Sequence, residues 1–247
     1  MNTYPPASNP PETPSPPQAA RVAMPRSAPY VTYTIIGITV VIYLLQQVTD
    51  LPIILFIKSN ELIRAGQVWR LLTPMLLHGS LPHIAFNMYA LLSFGTGLER
   101  HFGHGRFLLL YILSAFTGNV ASFLLTNANS LGASTAIFGL LGAEAVFLIQ
   151  NRKVFPGQFR SAIGNIIFIA AINLFIIGAL PGIDNWGHIG GLIGGLMFTS
   201  FAGPKWEVEG VYPAYYLMDK RPFSSVIVGA ATVVLIFGGL AMWGMVR

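Results

Sequence analysis

The sequence predicts an all-α polytopic membrane protein: a core of six transmembrane helices and one additional transmembrane helix at the C-terminus. Three observations predict it. Only 23 of 247 residues are charged (14 basic plus 9 acidic), where an ordinary soluble domain carries about 25%. Hydrophobic residues make up 53% of the chain, and its 26 glycines suit helices that pack closely in lipid. The charge-poor stretches, at about residues 31–49, 80–98, 107–126, 132–150, 162–182, 185–203 and 223–246, are each close to the ~20 residues a helix needs to cross a bilayer.

Residues 1–29 hold nine of the 17 prolines, with Ser, Thr, Asn and Gln between them. Such a segment cannot bury enough apolar surface to fold, so a disordered cytoplasmic tail is expected there. It lacks the apolar core of a signal peptide. Arg21 and Arg26 stand just before the first apolar stretch and hold the N-terminus inside. Seven crossings from that start place ten basic residues on the cytoplasmic side and leave Lys58, Arg64, Arg70 and Arg247 outside. The net charge of +5 thus reads as topogenic, with no nucleic-acid partner, and points to a plasma membrane of a bacterium or archaeon. The divisions expected are the tail, a six-helix core over 30–203, a cytoplasmic loop over 204–222 and the extra helix over 223–247. Leu51 to Ile57 is too short to span, so 50–79 reads as a long external loop lying partly in the interface.

Under this topology the second, fourth and sixth helices begin at the external face, and polar residues cluster at those beginnings. His83 and Asn87 are four apart on the second, Ser134 opens the fourth, and His188 opens the sixth. At 1.5 Å per residue all lie within about two turns of the surface, at the depth of one shallow, wet pocket. A serine becomes a nucleophile when a base takes its proton, and histidine suits that task near neutral pH. The Asn87 amide, the His83 ring and the backbone N–H of Ser134 could then bind an oxyanion. Gly132 permits a tight turn before the serine. Gly187, Gly191 and Gly195 give the sixth helix a small residue at every fourth position, which lets it press against the fourth.

These residues resemble the rhomboid intramembrane serine proteases over nearly all of 31–203. Trp69-Arg70 is similar to that family's tryptophan-arginine pair in the first external loop, and His83 to Asn87 to its His-x-x-x-Asn element. Gly132-Ala133-Ser134 resembles the start of its Gly-x-Ser-Gly motif, and Gly187 to Gly191 its histidine segment; Glu99 and Gly103 also fit. The resemblance implies a Ser134–His188 dyad, an oxyanion site of His83, Asn87 and the Ser134 amide, stacking of Phe138 on His188, and the six-plus-one subtype. It implies cleavage of transmembrane or juxtamembrane segments of other membrane proteins in contact with lipid, and no cofactor. Thr135 departs from the pattern, which has glycine there; a β-branched residue is expected to narrow the pocket floor and alter substrate fit.

Other readings of the same residues are plainer. A lone serine or histidine in a membrane helix commonly bonds a carbonyl, and Trp69 and Arg70 could be an interfacial anchor pair. His78 reads as structural support for the loop, and His101 and His104 as solvated. Three histidines could ligate zinc by count, but no carboxylate lies beside them and the His-Glu-x-x-His pattern is absent, so no metal is expected. Asp184, four before His188, could orient its ring as a third member, yet its loop position and the resemblance favour a dyad. Thr135 leaves room for a catalytically inactive relative that binds and retains transmembrane partners. Glu144, about 15 Å down the fourth helix, would suit a transporter, but paired broken helices and an internal repeat are missing. The sequence assigns no oligomeric state.

Overall fold

In the computed structural model, which describes residues 22–23, 27–157 and 159–247, helix accounts for every charge-poor stretch. Helix α1 runs Tyr30–Gln46. The loop that follows carries two short helices, α2 (Leu51–Phe56) and α3 (Asn60–Arg64), and two 3-10 turns, Val68–Leu71 and Thr73–Leu76. Helices α4 (Leu81–Ala90) and α5 (Thr96–Phe102) are joined by a π segment, Leu91–Gly95. Then come α6 (His104–Leu125), α7 (Ser134–Gln150), α8 (Phe159–Ala171, continued in π and 3-10 turns to Ala179), α9 (Asn185–Ala202) and α10 (Phe223–Val246). Among the described residues, α6, the stretch Phe159–Ala179 and α10 are long and apolar enough to cross a membrane, and α1 and α7 are shorter apolar helices.

Helix ends are set by side chains that satisfy orphan backbone groups. Ser80 accepts from the N–H of His83 at 3.3 Å to start α4, and Asp184 accepts from that of Gly187 at 2.9 Å to start α9. Helix α1 has only Pro29 at its N-cap; its donors are met from a distance by the buried carboxylate of Glu99, which accepts from Val31 N and Thr32 N, both at 2.8 Å. A carboxylate at a helix N-terminus also opposes the positive end of the helix dipole. His104 holds the same carboxylate at 2.6 Å, so its ring is not merely solvated as expected.

The core is a wedge of α6, α7 and α9. A Cβ on Gly191 would overlap the carbonyl oxygen of Thr135, and one on Gly195 that of Gly139, so α9 lies directly on the backbone of α7, as the glycine spacing predicts. A second glycine face, Gly190 and Gly194, receives the small side chains of α6: a Cβ on Gly190 would overlap that of Ala121 and come 2.7 Å from Thr117 O, and one on Gly194 would overlap the Thr117 side chain. Helix α9 is thus clasped from two sides, backbone to backbone on α7 and against small side chains on α6, which glycine allows.

One expectation is corrected: the chain is not all-α. Residues 204–222, read as a loop, contain the hairpin β2 (Trp206–Val211) and β3 (Ala214–Asp219), antiparallel with Trp206 opposite Asp219 and Val211 opposite Ala214. Aromatic and β-branched residues with interspersed charges favour strands over helix at this short, amphipathic segment. Val22–Ala23 forms β1, parallel to β3, giving the order β1-β3-β2. The remainder of the expected tail lies outside the described residues, apart from 27–29, which lead into α1. Asn151 fastens the sheet to the end of α7, donating to Pro204 O at 2.9 Å and accepting from Trp206 N at 2.7 Å; Arg106 of α6 pairs with Asp219.

Candidate active site

Ser134 is the first residue of α7, and the chain reaches it through a turn in which Gly132 has φ +131°. That backbone favours glycine, and space demands it as well, since a Cβ there would lie 2.8 Å from Nε2 of His83. The turn is held from the 50–79 loop: Gly132 N donates to Pro74 O at 2.9 Å, and Ser130 and Lys58 exchange backbone hydrogen bonds. His188 sits one turn into α9, buried, and its Nε2 lies 2.9 Å from the Ser134 hydroxyl oxygen. Phe138, one turn below Ser134 on α7, stacks on the imidazole at 4.3 Å between ring centroids and 7° between planes. The ring is therefore oriented by packing. Its Nδ1 is buried with no hydrogen-bond partner among the described residues. Asp184 caps Gly187 through Oδ1, and its Oδ2 is likewise without a partner among the described residues, so no hydrogen bond joins it to that ring as a third member.

His83 faces the turn before Ser134. Gly79 N lies 3.5 Å from its Nδ1, at the outer limit of a hydrogen bond; a ring accepting there carries its proton on Nε2, the nitrogen beside Gly132. Asn87 is buried on the same helix face, but its amide donates to His83 O at 2.9 Å, a local bond within α4. The structure thus brings Ser134, His188, Phe138, His83 and Gly132 together, with Asn87 one turn away.

Trp69 and Arg70 do not reach this group. Arg70 is buried and donates to Ile54 O at 2.6 Å and Ile57 O at 2.7 Å, while the Trp69 indole donates to Leu55 O at 3.1 Å. Together they satisfy the carbonyls at the end of α2, where a cation also suits the helix dipole. The Thr135 side chain is buried and fills the gap that Gly118 of α6 and Gly187 of α9 leave open: a Cβ on Gly118 would lie 2.6 Å from that of Thr135. The space a glycine would leave after the serine is here opened in the facing helices.

Several contributors escape a linear reading. Lys58 is fully buried, donating from Nζ to Ala128 O at 2.7 Å and Thr126 O at 3.3 Å, and burial pulls its pKa down to about 8, with the charge of Asp184 opposing. Asn60 donates to Thr126 O and Phe123 O at the end of α6. Asn185 donates to Gly178 O at 3.0 Å and Leu174 O at 3.2 Å, joining the irregular end of α8 to the start of α9. Gln46 grips the backbone of His78. A charged or amide residue in an otherwise apolar neighbourhood is the only signal any of them leaves in the sequence. Among the described residues no group of three His, Cys, Asp or Glu converges as a metal site would require.

A hydroxyl and an imidazole at two helix starts are thus gathered between the helices of a multi-pass membrane protein. A family model of the Rhomboid domain matches residues 65–205, and the chain belongs to the rhomboid family. It is 40% identical over 218 residues to Rhomboid protease GluP of Bacillus subtilis (strain 168), an alignment covering 86% of this chain and 41% of that protein. It is 37% identical to RHOMBOID-like protein 9, chloroplastic, of Arabidopsis thaliana (63% of this chain, 36% of that protein). It is 36% identical to RHOMBOID-like protein 6, mitochondrial, of the same plant (74% and 62%). The chain thus spans less than two thirds of the length of each.

Proposed function

We propose that this chain is an intramembrane serine endopeptidase that cleaves transmembrane or juxtamembrane segments of membrane proteins through a Ser134–His188 dyad. The observation that carries the reading is the 2.9 Å approach of His188 Nε2 to the Ser134 hydroxyl, with the ring set by Phe138. His188 takes the hydroxyl proton as Ser134 Oγ attacks the peptide carbonyl carbon, and gives it to the leaving amine as the C–N bond breaks. Water then attacks the acyl-enzyme, passing a proton to His188, and the ester bond breaks as Oγ is reprotonated. The N–H of Ser134 at the start of α7, Nε2–H of His83 and the second amide proton of Asn87 are the oxyanion donors.

The same reading assigns seven crossings, the N-terminus and the sheet on the cytoplasmic side of a plasma membrane, and the site at the external face, supported by ten basic residues on one side against four on the other. The unit boundaries proposed are the tail to 29, the core to 203, the hairpin segment to 222 and the last helix. Substrate helices that unwind easily, with Gly or other helix-weakening residues near the cut, expose a peptide bond to the dyad at least cost. Kinship with a protein named a rhomboid protease supports the reaction class. The test is cleavage of a labile transmembrane substrate by purified protein: Ser134→Ala should abolish it, and cleavage equal to the parent ends the proposal. Labelling by a fluorophosphonate that needs both Ser134 and His188 separates the enzyme from a relative that only binds transmembrane partners.

A further inference from the structure

We propose that His78, outside the dyad and the oxyanion donors, is a positioning residue that sets the Ser134 turn and the His83 ring in register with each other. The inference rests on the protease reading. His78 precedes α4 and is 1% exposed. Its ring touches both halves of the proposed oxyanion site. On one side Nε2 lies 3.5 Å from the N–H of Ala133, the residue before the nucleophile; on the other the ring meets that of His83 edge-on, 5.0 Å between centroids and 68° between planes. No other described side chain bonds the backbone of the Gly132-Ala133-Ser134 turn.

His78 is itself held in place from α1. The carboxamide of Gln46 donates to His78 O and accepts from His78 N, both at 3.1 Å, so one amide holds both backbone polar groups of that residue. A side chain needed only to fill space would not require its backbone clamped twice by a residue 32 positions earlier. The ring must also be neutral, since only an unprotonated Nε2 can accept from Ala133. Burial in a site that already holds His83 favours that form and drops the pKa to about 3. At 3.5 Å the contact is long at rest. Bonds of this kind commonly tighten only as charge develops in the reacting complex, and a shift of the 132–134 turn toward the oxyanion would shorten this one. With the Ala133 N–H engaged, the N–H of Ser134 is left as the donor aimed at substrate.

The experiment compares the parent, His78→Phe and His78→Gln with a labile transmembrane substrate, alongside Ser134→Ala as the blank. Phenylalanine keeps the ring and loses the acceptor; glutamine offers a carbonyl acceptor. His78→Phe should lose about 100-fold in kcat, the scale of a small misplacement of reacting groups, with KM and the unfolding midpoint unchanged, and His78→Gln should recover most of that loss. Parental kcat in His78→Phe, or equal losses in both variants, overturns the proposal. If His78→Phe does not fold, Gln46→Leu serves: a lowered kcat with unchanged KM supports positioning, and parental kcat overturns it. Imidazole nitrogen NMR of the parent provides a readout independent of activity. A neutral His78 with its proton on Nδ1 is expected, and a proton on Nε2 overturns the assignment even where Ser134→Ala has already ended the protease reading.

Discussion

The wedge of α6, α7 and α9 and the loop over 50–79 hold opposite sides of the same site by opposite means. In the wedge, glycines of α9 bring the helices together: Gly191 and Gly195 lie against the backbone of α7, and Gly190 and Gly194 against Ala121 and Thr117 of α6. In the loop, long polar side chains reach across to carbonyls: Arg70 to Ile54 and Ile57, Lys58 to Thr126 and Ala128, Asn60 to Phe123 and Thr126. Steric contact is stiff and admits one arrangement, because close-packed backbone has nowhere to move. Side-chain hydrogen bonds can break and re-form singly, each contributing about 1 kcal/mol net. The dyad distance depends on the stiff region, and the turn that presents the Ser134 N–H depends on the compliant one. Damage to the two should therefore look different.

The largest effect is expected from Gly191→Val, which drives a branched side chain into the Thr135 carbonyl and parts α7 from α9. Cleavage should fall by about 100-fold or more, as a displacement of reacting groups near 1 Å would cause, and the unfolding midpoint should drop with it. Parental activity would show that the wedge does not set the dyad. Arg70→Ala leaves buried carbonyls of the α2 end without donors, and denaturant unfolding should show a loss of about 1–3 kcal/mol. Fluorophosphonate labelling at saturating probe should persist, since neither Ser134 nor His188 touches that bond network; loss of labelling in folded protein would erase the distinction between the regions.

A pH series sharpens the compliant side. Burial disfavours the charged form of Lys58 and pulls its pKa down to about 8, from the 10.5 of a lysine in the unfolded chain. The unfolded chain then binds more protons between those values, and stability should climb with pH from about 8 to 10.5, the destabilising contribution being fully present below that window. Lys58→Met should flatten this climb in thermal unfolding; an identical profile in the two proteins would mean the lysine titrates normally. The smallest effect belongs to Gly238→Ala in α10, where a Cβ would meet nothing within 4 Å. Stability should hold or rise by about 0.5–1 kcal/mol, the helix preference of alanine over glycine. A large loss would mean that glycine in this chain matters everywhere, and contact in the wedge would lose its explanatory role.

Much of this is legible in one dimension. The helical stretches and the glycine stripe of α9 that faces α7 follow from spacing and residue type, as does the set Ser134, His188, His83 and Asn87, whereas the stacking of Phe138 is what the family resemblance implies. The second glycine face of α9, Gly190 and Gly194, belongs to a stripe rotated by one residue, whose significance appears only when α6 lies against it. The sheet leaves little trace because β1 and β3 are about 190 residues apart and short strands carry weak local signals. The packing of Thr135 against Gly118 is not readable either, because the two lie on different helices.

From the sequence alone came the apolar helical segments and the set of chemically capable side chains, because length, charge and residue type are properties of the chain read in one dimension. Which polar atoms meet was decided only by the fold: Glu99 on the start of α1, Arg70 on the end of α2, His78 beside Ala133 and His83. A hydrogen bond fades within a few tenths of an ångström, a tolerance far finer than anything hydrophobic patterning encodes, so such pairings emerge only after the helices have packed.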